Sequence, residues 1–259
     1  VRAGRAGDRV IRVAAVGDIH LGEDSRGTMR WHDIDERADL LLVAGDLTCH
    51  GTAAEGRVVA DELTACPVPV VCVLGNHDYH QNQQDEITAV LRDAGVVVLE
   101  GQTHTVDVAG RRVGVAGAKG FGGGFAGKCA TAFGEPEMKA FVAATKTASA
   151  ALRAGLRTLD TDYRIALLHY SPVADTLHGE PPEIYPFLGS CLLAEAIDDA
   201  GADLAVHGHA HSGIEAGRTA GGVPVRNVAQ PLIRAPYAVI NAVPTAAASA
   251  ANAANIHAR

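Results

Sequence analysis

The stretch Val10-Ile11-Arg12-Val13-Ala14-Ala15-Val16-Gly17-Asp18-Ile19-His20 sets the pattern on which this chain is built. A short, β-branched apolar run stops abruptly and hands over to residues that carry chemistry. The same form recurs. Leu40 to Ala44 ends in Gly45-Asp46, and Val68 to Leu74 ends in Gly75-Asn76-His77-Asp78. Arg164 to Leu168 ends in His169, and Asp203 to Val206 ends in His207-Gly208-His209-Ala210-His211. Runs this short and this apolar read as strands buried on both faces.

Helical patterns lie between these runs. Thr52 to Ala65 and Asp85 to Ala94 have helical periodicity. Pro136 to Leu159 is Ala-rich with high helix propensity, softened at Gly155, and Cys191 to Ala200 reads as a helix closed by Gly201. Strands alternating with helices imply an α/β fold. The middle of the chain departs from the alternation. Val96 to Leu99, Thr103 to Val108 and Arg112 to Ala116 read as successive strands with a hairpin turn at Ala109-Gly110, and Val223 to Val228 and Tyr237 to Ile240 add late strands. The sheets are therefore expected to be mixed. No internal repeat or linker is evident. The expected organisation is one domain over residues 1–240 and a low-complexity tail over 241–259, Ala- and Asn-rich with little to bury.

A chain of 259 residues supports one sizeable core, and 47% hydrophobic with 20% charged residues is ordinary for a globular protein. The net charge of −8 argues against an extended nucleic-acid-binding surface. The five cysteines are scattered without a close CxxC pair, which reads as buried, reduced thiols. No apolar run approaches the roughly 20 residues of a membrane span. Val1 to Arg9 is basic and leads straight into the first strand without a signal-peptide core. The expectation is a cytoplasmic protein with no membrane partner.

In α/β sheets, ligands gather at the carboxyl ends of strands. A single strand-end Asp is usually a turn or cap residue, and a single His is usually a core or surface residue. Five strand ends that all carry metal-ligand residue types are a different matter. Asp18 and His20 lie two apart, so on an extended strand they point the same way. Asp46 follows a glycine that permits a sharp turn, and its two oxygens suit it to bridge two ions. Asn76 offers an amide oxygen; His169, His209 and His211 offer imidazole nitrogens. Nitrogen and oxygen donors without thiolate suit Mn, Fe, Zn or Ni better than Ca or Mg, with Mn or Fe favoured. Two divalent ions offset by Asp18, Asp46 and a bridging hydroxide leave a net charge of about +1, ready for an anion. Metals about 3.5–4 Å apart also lower the pKa of a shared water and clamp an in-line displacement.

These residues resemble the calcineurin-like metallophosphoesterase family. Its motifs D-x-H, G-D, G-N-H-[DE], a later His and G-H-x-H appear in order as Asp18-Ile19-His20, Gly45-Asp46, Gly75-Asn76-His77-Asp78, His169 and Gly208-His209-Ala210-His211. The resemblance spans Val10 to about Tyr237. It implies a four-layer α/β/β/α sandwich of two mixed β-sheets flanked by helices, the metallo-dependent phosphatase-like fold. It also implies that Asp18, His20 and His211 hold one metal, that Asn76, His169 and His209 hold the other, and that Asp46 bridges them. A bridging hydroxide is the implied nucleophile. His77 is the implied non-ligand that protonates the leaving oxygen or stabilises phosphoryl charge, with Asp78 as its orienting partner or as a helix cap. Spacing alone leaves open which two of His207, His209 and His211 bind metal. The resemblance selects the pair flanking Ala210 and leaves His207 as a supporting or core histidine.

The expected activity is hydrolysis of a small phosphoester, with nucleotides among the candidates. Phosphodiesters come before monoesters because no Arg cluster for a monoester dianion is evident, unless Arg26, Arg30 or Arg226 converge in space. A catalytically silent metal-binding scaffold is the rival reading; no expected ligand is missing. Gly122 to Lys128 matches the first part of a phosphate-binding P-loop, but Cys129 stands where Ser or Thr should hold Mg. That segment is expected either as a loop or as an active-site rim presenting Phe121, Phe125 and Lys128. His77-Asp78 also matches the doublet of helical phosphohydrolases, but it follows a strand and a Gly-Asn turn. His32, His50, His80, His104, His178 and His257 are expected to lie away from the chemistry.

Overall fold

The computed structural model describes residues 10–31 and 33–242. The first part runs β1 (Ile11–Val16), α1 (Ile34–Arg37), β2 (Leu40–Ala44), α2 (Ala53–Thr64), β3 (Val70–Val73), α3 (Gln84–Asp93) and β4 (Val97–Val98). Then come the hairpin of β5 (Thr103–Val108) and β6 (Arg111–Ala118) and the short pair β7 (Gly124–Phe125) and β8 (Lys128–Cys129). The rest runs α4 (Pro136–Thr158), β9 (Tyr163–Leu168), α5 (Tyr185–Leu188), α6 (Cys191–Ala200), β10 (Leu204–His207), β11 (Ala216–Arg218), β12 (Pro224–Asn227), α7 (Gln230–Ile233) and β13 (Ala238–Ala242).

The strands form two mixed sheets, ordered β13-β1-β2-β3-β4 and β11-β12-β10-β9-β6-β5. In the first, β1 to β4 are parallel and β13 is antiparallel. In the second, β12, β10, β9 and β6 are parallel, with antiparallel β11 and β5 at the edges. Alternation along each strand divides its side chains between two cores. Val13 and Ala15 of β1, Leu40 and Leu42 of β2, and Val71 and Val73 of β3 meet Ile165 and Leu167 of β9 between the sheets. The alternate residues Ala14, Val16, Leu41, Val43 and Cys72 pack outward on Val58, Leu63, Ile87 and Leu91 of α2 and α3. On the far side Ala166, Leu168 and Ala205 meet Leu152 and Leu156 of α4 and Leu193 and Ile197 of α6. Four layers follow, as expected, because strands apolar on both faces must be covered on both.

Local signals set the helix ends. The Thr52 hydroxyl accepts from the Glu55 N–H at 3.1 Å while Glu55 accepts from the Thr52 N–H at 3.3 Å, a reciprocal cap at the start of α2. Ser190 caps α6, and Gly201 leaves it with a φ of 77°. The expected tail boundary needs correction. Asn241 and Ala242 belong to β13, paired with Arg12 and Ile11; residues 243–259 lie outside the described set. The Gly-rich segment is not a P-loop: it folds as the β7–β8 pair, and the next helix begins only at Pro136. No helix among the described residues is long and apolar enough to cross a membrane.

Candidate metal centre

The carboxyl ends of β1, β2 and β3 in one sheet meet those of β9 and β10 in the other. The loops beyond them are laced together by backbone hydrogen bonds: Asp18 N–H to Gly45 O at 2.9 Å, His20 N–H to Asp46 O at 3.1 Å, and Gly208 N–H to His169 O at 3.2 Å. Asp18, His20, Asp46 and His209 have φ of 58°, 42°, 50° and 70°. Non-glycine residues in this left-handed region cost of order 1–3 kcal/mol each and cluster at functional sites. Asp18 and His20 therefore converge through left-handed turns beyond the strand, not through the strand pleat expected from their i, i+2 spacing. Two glycines permit the crowding. A Cβ on Gly45 would lie 2.6 Å from the His169 ring, and one on Gly75 would lie 2.1 Å from an Asp46 carboxylate oxygen.

Three donor groups result, each with its ligand atoms within 4.8 Å of one another: Asp18, His20 and His211; His20, Asp46 and His77; and Asp46, His169 and His209. His211 Nε2 lies 3.0 Å from Asp18 Oδ1. Asp46 faces both sides. Its Oδ1 is 3.4 Å from His169 Nε2, while its Oδ2 is 3.8 Å from His20 Nε2 and 3.9 Å from His77 Nε2. Asn76 joins the second group through Oδ1, 2.8 Å from His169 Nε2. All seven sequence-expected ligands thus share one centre. The rings of His20 and His77 are 4.4 Å apart, as are those of His77 and His80, so His80 lies nearer the centre than expected.

The donor chemistry fits cations. Asp18 and Asp46 are each only 2% exposed, and their ion-pair partners among the described residues are histidines, not Lys or Arg. A buried carboxylate needs compensating charge. His169 Nδ1 is held at 2.9 Å by the Ala44 carbonyl, so Nδ1 donates. In the neutral ring Nε2 then accepts, facing Asn76 Oδ1 and Asp46 Oδ1; three acceptors converge where a proton or a cation has to sit. His209 donates from Nε2 to the Phe187 carbonyl at 3.2 Å, which frees Nδ1. Burial above all pushes His209 down to about 3, keeping it neutral as a ligand must be. Burial raises the Asp18 carboxyl, but the hydrogen bond from His211 and the charges of His169 and His211 outweigh it and hold the group below its usual range. Burial likewise lowers His20.

Among the described residues, the Asp78 carboxylate is bonded to two loops and not to the His77 ring. It is buried and accepts from Leu47 N–H at 3.2 Å, Thr48 N–H at 2.9 Å, the Thr48 hydroxyl at 2.6 Å and Gly75 N–H at 2.7 Å. His77 is instead anchored by its Nδ1–H to the Cys49 carbonyl at 2.8 Å. The rim expected of the Gly-rich segment is only partly formed. Phe125 is buried against Leu177, Leu188 and Ala210, whereas Lys128 is exposed. His207 is a core histidine, fully buried, bonded to Gly208 O at 2.7 Å and Thr176 Oγ1 at 2.8 Å, and pushed down to about 4 by burial. Arg26 pairs with Asp61, Arg226 pairs with Glu215 at 3.2 Å, and Arg30 is exposed, so the three form no common cluster. His50 pairs with Glu55 at 2.7 Å and His178 is exposed, whereas His32 and His257 lie outside the described residues.

One cation was missed. Lys119 follows β6, a sixth strand end. Its Nζ lies 4.4 Å over the Tyr79 ring, 5.1 Å over Phe121 and 5.6 Å over Tyr170, and the Tyr170 ring is 4.4 Å from that of His209. Burial lowers the Lys119 pKa against the opposing pull of Glu100, Asp46 and Asp78. A strand-end Lys was the available signal; the stacking rings come from three separate loops.

Fold and site together define a two-sheet α/β protein with a nitrogen- and oxygen-donor centre at converging strand ends. The sequence model of the calcineurin-like phosphoesterases matches residues 11–213, and the chain belongs to that family. No curated protein matches the chain in sequence. Solved structures share the fold. Phosphopantetheinyl hydrolase (PptH) from Mycobacterium tuberculosis aligns with a TM-score of 0.62 at 18% identity, over 87% of this chain and 91% of that one. TT1561 of Thermus thermophilus aligns with a TM-score of 0.57 at 16% identity, over 91% of this chain and 100% of that one.

Proposed function

We propose that this chain is a two-metal hydrolase of phosphoric esters that acts on phosphodiesters. The reading rests on one observation: the two oxygens of buried Asp46 face two separate sets of nitrogen and oxygen donors. Asp18, His20 and His211 would hold one ion, Asn76, His169 and His209 the other, and Asp46 both. Bound there, the ions would polarise phosphoryl oxygens and lower the pKa of a water between them. Mn or Fe suits this donor set.

The chain's own groups supply the rest. The Cys49 carbonyl fixes the His77 tautomer and leaves Nε2 directed toward the centre. Once Nε2 takes up a second proton, the imidazolium can give that proton to the leaving oxygen and return to the neutral ring. The Ala44 and Phe187 carbonyls fix the tautomers of His169 and His209 in the same way. Lys119 adds positive charge beside the second group of donors. With Arg26 and Arg226 committed to ion pairs elsewhere, no arginine fork is built from them for a monoester dianion, which favours diesters.

The test is a substrate screen on metal-reconstituted protein: bis(4-nitrophenyl) phosphate, 4-nitrophenyl phosphate and cyclic nucleotides. A higher kcat/KM on diesters is expected. A preference for the monoester would overturn the diester reading. Two bound metals with no turnover on any ester would favour the scaffold.

A further inference from the structure

The Sγ atoms of Cys129 and Cys191 lie 3.8 Å apart, although the residues are 62 positions apart in sequence. Cys129 ends β8 and is exposed; Cys191 opens α6 and is half-buried. Of the five thiols expected to be buried, Cys66 and Cys72 are. The Cys49 sulfur bonds to the His20 carbonyl at 3.0 Å and the Cys129 sulfur to the Phe125 carbonyl at 2.9 Å, but among the described residues only Cys129 also meets a second thiol, that of Cys191.

The elements bearing the pair bear on the metal centre. Gly124 N–H donates to Gly189 O at 2.9 Å, and Gly123 N–H donates to Pro186 O at 2.7 Å, joining the β7–β8 pair to the segment 185–190. That segment carries Phe187, whose carbonyl holds His209. Phe125 of β7 packs with Ala210, the residue between His209 and His211.

We propose that Cys129 and Cys191 are a reversible oxidation site, closed to an intrachain disulfide by small-molecule disulfides, and that the bond staples the β7–β8 pair to the start of α6. The Cys129 thiol, the more exposed, gives up its proton and attacks one sulfur of the small disulfide. That S–S bond breaks, and one thiolate leaves and takes up the proton. Cys129 now carries a mixed disulfide. Cys191 in turn loses its proton and attacks the Cys129 sulfur, and the second small thiol leaves protonated. Two electrons pass from the protein thiols to the oxidant, which ends as two thiols. A bonded pair needs the sulfurs at about 2.05 Å, so they must close by less than 2 Å, within reach of χ1 rotation and a small hairpin shift. Burial, then the neighbouring Cys129 thiol, pushes Cys191 up to about 11, in keeping with its place as the second sulfur to react.

The experiment uses the full chain, reduced and then incubated with oxidised glutathione, followed by alkylation and peptide mapping by mass. Cys129 should be linked to Cys191, and Cys49, Cys66 and Cys72 should be alkylated. Dithiothreitol should reverse the link. Trypsin cleavage after Lys128 should slow in the oxidised protein. In Cys191→Ser the glutathione adduct should persist on Cys129. In Cys129→Ser no intrachain link should form. A persistent adduct on Cys129 of the unaltered chain, or a link through Cys49, would overturn the proposal, as would unchanged cleavage after Lys128. None of these readouts depends on phosphoester turnover, so the outcome stands apart from the proposed activity.

Discussion

Asp78→Asn tests whether the residue after His77 serves chemistry or the loops. Its Oδ1 accepts from the Thr48 N–H and hydroxyl, and its Oδ2 accepts from the Gly75 and Leu47 N–H groups. Asp78 and both residues of the facing loop, Leu47 and Thr48, are fully buried. An amide keeps one acceptor oxygen and places an NH2 where the other stood. With the NH2 toward Thr48, the hydroxyl can turn to accept, and one N–H is orphaned; with the NH2 toward Gly75 and Leu47, two are. The amide takes the first orientation, so a single orphaned donor sets the loss at about 1–3 kcal/mol. Removing a charge whose burial is costly returns part of this, since burial leads the causes that raise the Asp78 pKa. At roughly 2–4 °C per kcal/mol for a domain of this size, Tm should fall by about 2–12 °C. The assay is scanning calorimetry of metal-free protein, paired with kcat at saturating metal. Because Asp78 joins the loops of Asp46 and Asn76, metal affinity should weaken while kcat of the loaded enzyme changes little. A Tm drop under about 2 °C with a kcat loss above about 10²-fold would show that Asp78 acts through His77 after all.

Other expectations follow from the same geometry. Asp46→Asn should remove both metals and activity together, as elemental analysis of the purified variant would read; retention of both ions would rule out a shared ligand. His77→Ala should keep both metals and lower kcat by about 10²–10⁴-fold, the usual reach of a proton donor; normal turnover would remove its assigned role. Gly75→Ala should abolish metal binding, since its Cβ would lie 2.1 Å from the Asp46 carboxylate; calorimetric titration with Mn²⁺ gives the answer, and unaltered affinity would mean the loop can yield.

Much of the fold was legible because two-sided apolar runs leave little choice but a sheet covered on both faces. Leu40–Ala44, Thr103–Val108 and Cys191–Ala200 fall on their expected residues. Asn241 and Ala242 were read as tail because they gain their strand structure from pairing with Arg12 and Ile11, more than 200 positions away. The gathering of Asp, Asn and His donors at one centre was legible because those residue types stand just beyond the strand ends that carry them.

What the chain dictates on its own is thus the local grammar: apolar runs of strand length, helices between them, and Asp, Asn and His at the run ends. Tertiary structure decided the partnerships. Asp78 bonds to Leu47 and Thr48 because two loops cross, His77 answers to a backbone carbonyl that no side-chain pattern reveals, and Lys119 meets rings from three loops. Cys129 finds Cys191 across 62 positions. Periodicity and propensity act over a few neighbouring residues. Hydrogen bonds, charge and thiol proximity act across space, and only the packed sheets bring those groups within reach.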